Sequence, residues 1–288
     1  MYDYLHMNLL EKAIRHGHVP YYAFKLLWET ARAWGLRRWA RFWFSREKNI
    51  LLTMDDLTFE VRGASIKSKM TDTFAIMESL YHKLYNRRFY DDDFKIGECD
   101  TVIDIGGYIG SFAIPAARFA RKGIVYSFEP SPDNFAQLEK NVALNRAENV
   151  KFFNLAVAST DRKIKLFLDN MNPASNNIYM KGGKEIEQEA VSLPTFFQRF
   201  GIDRCEFFKI DCEGAEYEIL MSLDPSMLRR IGRIACELHE PLYYGVSDPR
   251  HTPRALLRFL EANSFTVYRS PVNPYLSMLY AVNQRFGG

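Results

Sequence analysis

Thr101-Val102-Ile103-Asp104-Ile105-Gly106-Gly107-Tyr108-Ile109-Gly110 is the stretch on which the fold of this chain turns. An apolar run carries one acidic residue and then enters a glycine-rich turn. A helix-like segment follows from about Ser111 to Arg121, and a second apolar run, Ile124-Val125-Tyr126-Ser127-Phe128, ends at Glu129. The order is strand, turn, helix, strand, with a carboxylate at the tip of the second strand. Glycines let a backbone approach a ligand closely and adopt positive φ. A carboxylate in that place can accept both hydroxyls of a ribose.

The turn does not complete the G-x-G-x-x-G fingerprint of pyrophosphate binding. Asp104, just before it, would repel a pyrophosphate and attract a cation. S-adenosylmethionine carries a ribose, an ammonium and a sulfonium, and no phosphate. The pattern therefore favours a methyltransferase over a dehydrogenase.

A second apolar run ends in a charged cluster at Phe207-Phe208-Lys209-Ile210-Asp211-Cys212-Glu213-Gly214-Ala215-Glu216. Together with Asp104–Gly110 and Phe128-Glu129-Pro130-Ser131-Pro132, it resembles the FkbM family of S-adenosylmethionine-dependent methyltransferases. The K-I-D-x-E-G-A-E segment is the most specific of the three. The resemblance runs from about Thr71 to about Leu242. It implies the class I methyltransferase fold and, mostly, O-methylation of hydroxyls on sugars or other small molecules. The family usually has Asn at the position of Tyr108, so this larger side chain is expected to stack on the cofactor or to block part of its pocket.

Strand-like and helix-like segments alternate through the rest of the chain. Thr101–Ile105, Ile124–Phe128, Val150–Leu155, Glu206–Ile210 and Arg233–Leu238 read as parallel strands. Ile164–Leu168 reads as an extra strand, and Phe265–Tyr268 and Ser277–Val282 as closing strands. Thr71–Phe89, Pro132–Asn145 and Pro253–Asn263 read as helices, and Ile50–Arg62 as a hairpin or lead-in. This predicts an α/β, Rossmann-like class I methyltransferase sheet, mainly parallel with an antiparallel closing strand and helices on both faces, plus an N-terminal helical segment. Three parts are expected: an aromatic and basic segment over 1–49, a hairpin and helix over 50–98 that covers the site, and the methyltransferase domain over 99–288. No internal repeat is visible.

Ligands of open α/β sheets bind at the carboxyl ends of the strands. Cofactor contacts are therefore expected from Asp104, Gly106, Gly107, Tyr108, Gly110 and Glu129. Ala156, at the end of the third strand, is placed against the adenine. Side chains alternate along a strand, so Lys209 shares a face with Asp211, and Glu237 with His239. Lys209 is expected to pair with a carboxylate and Glu216 to sit at a helix start for structural reasons. Asp211 and His239 are the catalytic candidates. A substrate hydroxyl would attack the sulfonium methyl in line, with His239 as the base near neutral pH or Asp211 in its stead. Glu213, Glu237 and Tyr243 are candidates for holding the acceptor, with Tyr243 and Tyr244 forming an aromatic wall or packing in the core. No metal is expected; a metal-assisted variant would use Asp211, Glu237 and His239 as ligands.

Composition narrows the rest. The net charge of +3 implies no global field for nucleic acid. Cys99, Cys205, Cys212 and Cys236 form no C-x-x-C pair and read as small buried or partly buried thiols of a reducing compartment. No signal peptide and no bilayer-length apolar run are seen, so a cytoplasmic location is expected. Trp28, Trp34, Trp39 and Trp43 lie near the N-terminus among Arg32, Arg37, Arg38, Arg41, Arg46 and Lys48. Residues 20–46 would pack on the catalytic domain or a second copy, or lie at an anionic membrane surface. The partner expected is thus a small-molecule or glycan acceptor. The alternatives are a membrane-linked acceptor or a S-adenosylmethionine-binding module without catalysis. Asn170–Lys184, rich in Asn and Gly, reads as a loop at the substrate mouth or a plain surface loop, and Asp91-Asp92-Asp93 as a solvated loop or cap.

Overall fold

The computed structural model describes residues 20–80, 94–169, 174, 176–179, 184–241, 245–246, 248–273 and 275–286. Tyr243, Tyr244, the Asp91-Asp92-Asp93 run and most of the 170–184 segment lie outside them.

Two helices come first, α1 (Pro20–Trp34) and α2 (Leu36–Phe44). They break at Gly35, whose φ of 76° suits a residue without a side chain. Their aromatic faces lock together. The Trp39 indole N–H donates to Leu27 O at 2.9 Å, and Phe42 meets Trp34 and Trp43 edge-on at 5.2 and 5.1 Å. A hairpin follows, β1 (Asn49–Met54) and β2 (Leu57–Arg62), paired antiparallel. Asp55 and Asp56 form its turn, both at positive φ, as a tight twisted hairpin requires. Next is α3 (Ile66–Leu80). Lys69 of α3 donates to the carbonyls of Phe42, Trp43 and Ser45 at 3.1, 3.2 and 3.0 Å. It thereby satisfies the open C-terminal end of α2 and ties it to α3.

The central sheet then builds up through β3 (Thr101–Ile105), α4 (Ala113–Phe119), β4 (Ile124–Phe128), α5 (Pro132–Leu144) and β5 (Val150–Phe153). A small three-stranded sheet, β6 (Ala156–Ala158), β7 (Arg162–Leu168) and β8 (Lys184–Ser192), is inserted next, in the order β6-β8-β7. The chain continues through α6 (Leu193–Phe200), β9 (Cys205–Ile210), α7 (Glu216–Met221), α8 (Pro225–Leu228), β10 (Ile231–His239), α9 (Pro253–Ala262), β11 (Phe265–Asn273) and β12 (Leu276–Asn283).

The seven-stranded sheet has the order β11-β12-β10-β9-β3-β4-β5. β10, β9, β3, β4 and β5 are parallel, and β12 runs antiparallel to both of its neighbours. This is the Rossmann-like class I methyltransferase sheet expected from the sequence. Alternation along its strands feeds two cores. Val102 and Phe207 pack on one face with α4, α5 and the N-terminal elements. Ile103 and Phe208 pack on the other with α6, α7 and α9.

The five parallel strands read from the sequence are all present. β8 and α6 were not anticipated, and α3 begins at Ile66 rather than at Thr71, while the stretch beyond Leu80 falls outside the described residues. Register sets the ends of the central strands level. Ile105 lies opposite Phe128 and Ile210, and Ile210 lies opposite Cys236. Gly106, Glu129, Asp211 and His239 therefore emerge along one edge of the sheet. Among the described residues no helix is long and apolar enough to cross a membrane.

Candidate active site

At the end of β3 the chain turns back on itself under tight steric limits. The N–H groups of Gly106 and Gly107 donate to Phe128 O at 3.0 and 2.8 Å. Gly106 has φ 80°, and a Cβ on it would stand 1.7 Å from the carbonyl oxygen of Asp211. Only glycine fits there, so the cofactor turn and the end of β9 are in backbone contact.

Glu129 is buried at the tip of β4. One carboxylate oxygen accepts the Tyr108 N–H at 2.8 Å; the other accepts the Ser131 N–H at 2.8 Å and the Asn134 amide at 3.4 Å. Burial pushes its pKa up to about 7, against the pull of these hydrogen bonds. Asn154, just past β5, donates to the Glu129 and Pro130 carbonyls at 2.9 and 3.1 Å. Two residues on, Ala156 is buried and pairs with Ala190 in the smaller sheet.

Tyr108 sits at φ 51°, and its side chain leaves the turn for the N-terminal elements. Its hydroxyl donates to Asp72 Oδ1 of α3 at 2.6 Å and accepts from Arg62 Nη2 at 2.5 Å. The Arg62 guanidinium lies 5.1 Å from the Tyr108 ring centre and ion-pairs with Asp72 at 2.6 Å. Arg62 Nη1 also reaches Asn134 Oδ1 at 2.7 Å. Glu129, Asn134, Arg62, Asp72 and Tyr108 thus form a closed circuit. The ring lies with Arg62, and its hydroxyl is held by Asp72. Burial first, and then Asp72, hold the phenol well above its ordinary pKa, so it stays a donor. Arg62, Asp72 and Asn134 carried no signal in the sequence, because they meet Glu129 only through tertiary packing.

Asp104 is fully buried. Lys209 Nζ lies 3.1 Å from Asp104 Oδ1, and Ser127 Oγ donates to Oδ2 at 2.8 Å. Lys209 also donates to the carbonyls of Ile105 and Gly106 at 3.2 and 2.7 Å, and approaches Asp211 more loosely at 3.7 Å. Burial alone would discharge this ammonium; Asp104 and then Asp211 outweigh it and raise its pKa. The Asp104 carboxylate is therefore paired, inside the fold, with Lys209. Its part is to brace the turn.

At the ends of β9 and β10, Asp211, Glu213, Glu237 and His239 come together. One ligand atom from each of Asp211, Glu237 and His239 falls within 4.8 Å of the others. His239 Nδ1 lies 2.9 Å from Glu216 Oε1, and Nε2 lies 3.7 Å from Glu213 Oε2. Glu216 Oε1 also accepts the N–H groups of Cys212 and Gly214 at 3.2 and 3.1 Å. Burial would discharge the ring, but Glu216 and Glu213 overcome it and hold its pKa well above the usual value. Cys212 and Cys236 stay protonated because burial raises their thiol pKa.

A model of the FkbM methyltransferase domain matches residues 104–267, more than half of the chain. The chain belongs to the FkbM methyltransferase family. Among its relatives, "Methyltransferase 1" of Beauveria bassiana is 23% identical over 196 residues, spanning 61% of this chain and 76% of its own. The 31-O-demethyl-FK506 methyltransferase FkbM of Streptomyces tacrolimicus is 24% identical over 193 residues, 56% of this chain and 74% of its own. A solved structure of methyltransferase FkbM from Methylobacillus flagellatus aligns with a TM-score of 0.46 and 14% identity, over 76% of this chain and 55% of that one.

The cofactor of the FkbM family is S-adenosylmethionine, and the residues present fit it. Glu129 offers a carboxylate fixed by two backbone N–H groups for the ribose hydroxyls. The Gly106 turn leaves no room for a side chain on the backbone beside it. The neighbouring carboxylates suit a ligand that carries positive charge.

Proposed function

We propose that this FkbM-family methyltransferase methylates a hydroxyl of a sugar or other small molecule, held where β9 and β10 end. The observation that carries this reading is the meeting of Asp211, Glu237 and His239 at that edge, next to the cofactor turn. Carboxylates accept hydrogen bonds from hydroxyls and orient them. The relative from Streptomyces tacrolimicus acts, by its name, at an oxygen.

The cofactor supplies a methyl group on a sulfonium, whose sulfur leaves with the electron pair of the broken carbon–sulfur bond. The protein's part is to align the acceptor and receive its proton. Asp211 is in backbone contact with Gly106 and partly open to solvent, so it orients the hydroxyl and takes the proton as the new carbon–oxygen bond forms. Glu237 and Glu213 hold the remaining hydroxyls. Glu216 holds the His239 ring in place.

Transfer of labelled methyl from S-adenosylmethionine to a panel of hydroxylated acceptors tests the reading. Product that survives mild alkali and carries the label on oxygen by nuclear magnetic resonance is an ether and supports it. Label found only in base-labile ester or on amine nitrogen overturns it.

A second reading, an acceptor linked to a membrane, is favoured by the exposed side chains of α1 and α2. Leu36 and Phe44 are each 76% exposed and Trp28 is 56% exposed, beside exposed Arg37, Arg38 and Arg41. Apolar and cationic side chains together suit an anionic lipid surface.

A further inference from the structure

We propose that Asp211, Glu237 and His239 form a binding site for a divalent first-row cation of the Mn2+ type. The ion would be held by one oxygen from each carboxylate and by a ring nitrogen.

Spacing is the first ground. Ligand atoms at about 2.2 Å from a common ion lie ~3 to 4.4 Å from one another. The three here lie within 4.8 Å, so small side-chain movements close the set. They come from adjacent strands whose pairing is fixed at Ile210 opposite Cys236. The site is therefore built on the rigid part of the fold.

The imidazole is the second ground. A metal-bound histidine characteristically gives its other N–H to a carboxylate, which sets the tautomer and the ring plane. Glu216 Oε1 stands 2.9 Å from His239 Nδ1, and is itself fixed by two backbone N–H groups. With the proton on Nδ1, the lone pair of the neutral ring lies on Nε2.

Unbalanced buried charge is the third. Glu216 is fully buried, and its second oxygen, Oε2, has no hydrogen-bond partner among the described residues. A dication nearby lowers the cost of burying the Glu216 carboxylate.

Donor chemistry selects the ion. Two carboxylates and an imidazole differ from the all-oxygen sets that suit Ca2+ and Mg2+ best, and suit a first-row dication. The use of such an ion rests on the hydroxyl-acceptor reading above: a divalent charge next to the acceptor oxygen lowers the cost of losing its proton. Its binding does not rest on that reading.

The test is a titration of the chelator-treated, dialysed full chain with MnCl2, following the free-ion electron paramagnetic resonance signal. One Mn2+ per chain is expected, with affinity at least tenfold weaker in Glu237→Gln and in His239→Gln, and about ten- to a hundredfold weaker in Glu216→Gln. Electron spin-echo modulation from a coordinated imidazole 14N in the wild type gives a readout that needs no variant. Absence of bound Mn2+ at millimolar concentration overturns the site. So does binding that the variants leave unchanged, or bound Mn2+ without nitrogen modulation. Methyl transfer to the hydroxyl panel, run on the same samples, separates the two ideas. Transfer without Mn2+ binding sinks the metal site alone, and Mn2+ binding without transfer to any hydroxyl sinks the acceptor reading alone.

Discussion

The hydroxyl of Tyr108 donates to Asp72 Oδ1 at 2.6 Å, joining the cofactor turn to the helix that precedes the central sheet. Both groups are buried, and Arg62 contacts each of them. Removing the hydroxyl leaves a charged pair short of a donor, at a cost of about 1–3 kcal/mol. Tyr108→Phe is therefore expected to lower stability by that amount in urea unfolding. It should also weaken S-adenosylmethionine several-fold by calorimetry, since the hydroxyl anchors the residue whose N–H, with that of Ser131, holds Glu129. Unchanged stability and affinity would show that the circuit is ornamental.

The pH dependence of cofactor binding follows from Glu129, whose carboxyl is pushed up to about 7 by burial. Below that pH the group is largely neutral and is a poor acceptor for two ribose hydroxyls; above it the carboxylate is present. The dissociation constant for S-adenosylmethionine is expected to fall as pH rises from 6 to 8. Glu129→Gln should bind weakly and lose this pH dependence. The same shift has a stability consequence of opposite sense. A carboxyl whose folded pKa lies above its unfolded value favours the folded state most at low pH, and that contribution is lost as pH rises through about 7. Glu129→Gln should thus be relatively more stable at pH 8 than at pH 5 when compared with the wild type in urea titrations.

Lys209 and Asp104 form a buried pair at 3.1 Å. Lys209→Met leaves Asp104 buried opposite an apolar chain, and a loss of about 3–5 kcal/mol is expected. The double variant Lys209→Met/Asp104→Asn should recover part of that loss. A double-mutant cycle in urea checks it, and purely additive losses would contradict the coupling.

How far the sequence carried can be seen at particular residues. The runs Thr101–Ile105 and Ile124–Phe128 match β3 and β4 end for end because apolar runs bounded by glycine, proline and charge announce buried parallel strands. Lys184-Glu185-Ile186-Glu187-Gln188-Glu189 gave no such announcement, since β8 points its charges to solvent and is held by β6 and β7 rather than by local preference. Asp104, Glu129, Asp211 and His239 could be placed at strand ends from alternation alone. Their charge partners could not. Lys209 stands 105 residues from Asp104, Asp72 stands 36 residues from Tyr108, and Glu216 meets His239 across 23 residues. Only packing brings these groups within reach.

The exposed side chains of α2 lead to a surface prediction. Leu36 and Phe44 face solvent, so Leu36→Glu and Phe44→Glu should leave thermal stability within about 0.5 kcal/mol of the wild type. If α2 meets lipid, the full chain floats with phosphatidylserine vesicles and the double variant does not. Failure of the wild type to float removes the membrane-linked acceptor from consideration.

The most direct measurement is a calorimetric titration of the full chain with S-adenosylmethionine, with Glu129→Ala alongside. One micromolar-range site per chain, lost in the variant, is the expected result. Absence of binding by the wild type, or binding that Glu129→Ala leaves intact, would contradict the placement of the cofactor at the tip of β4.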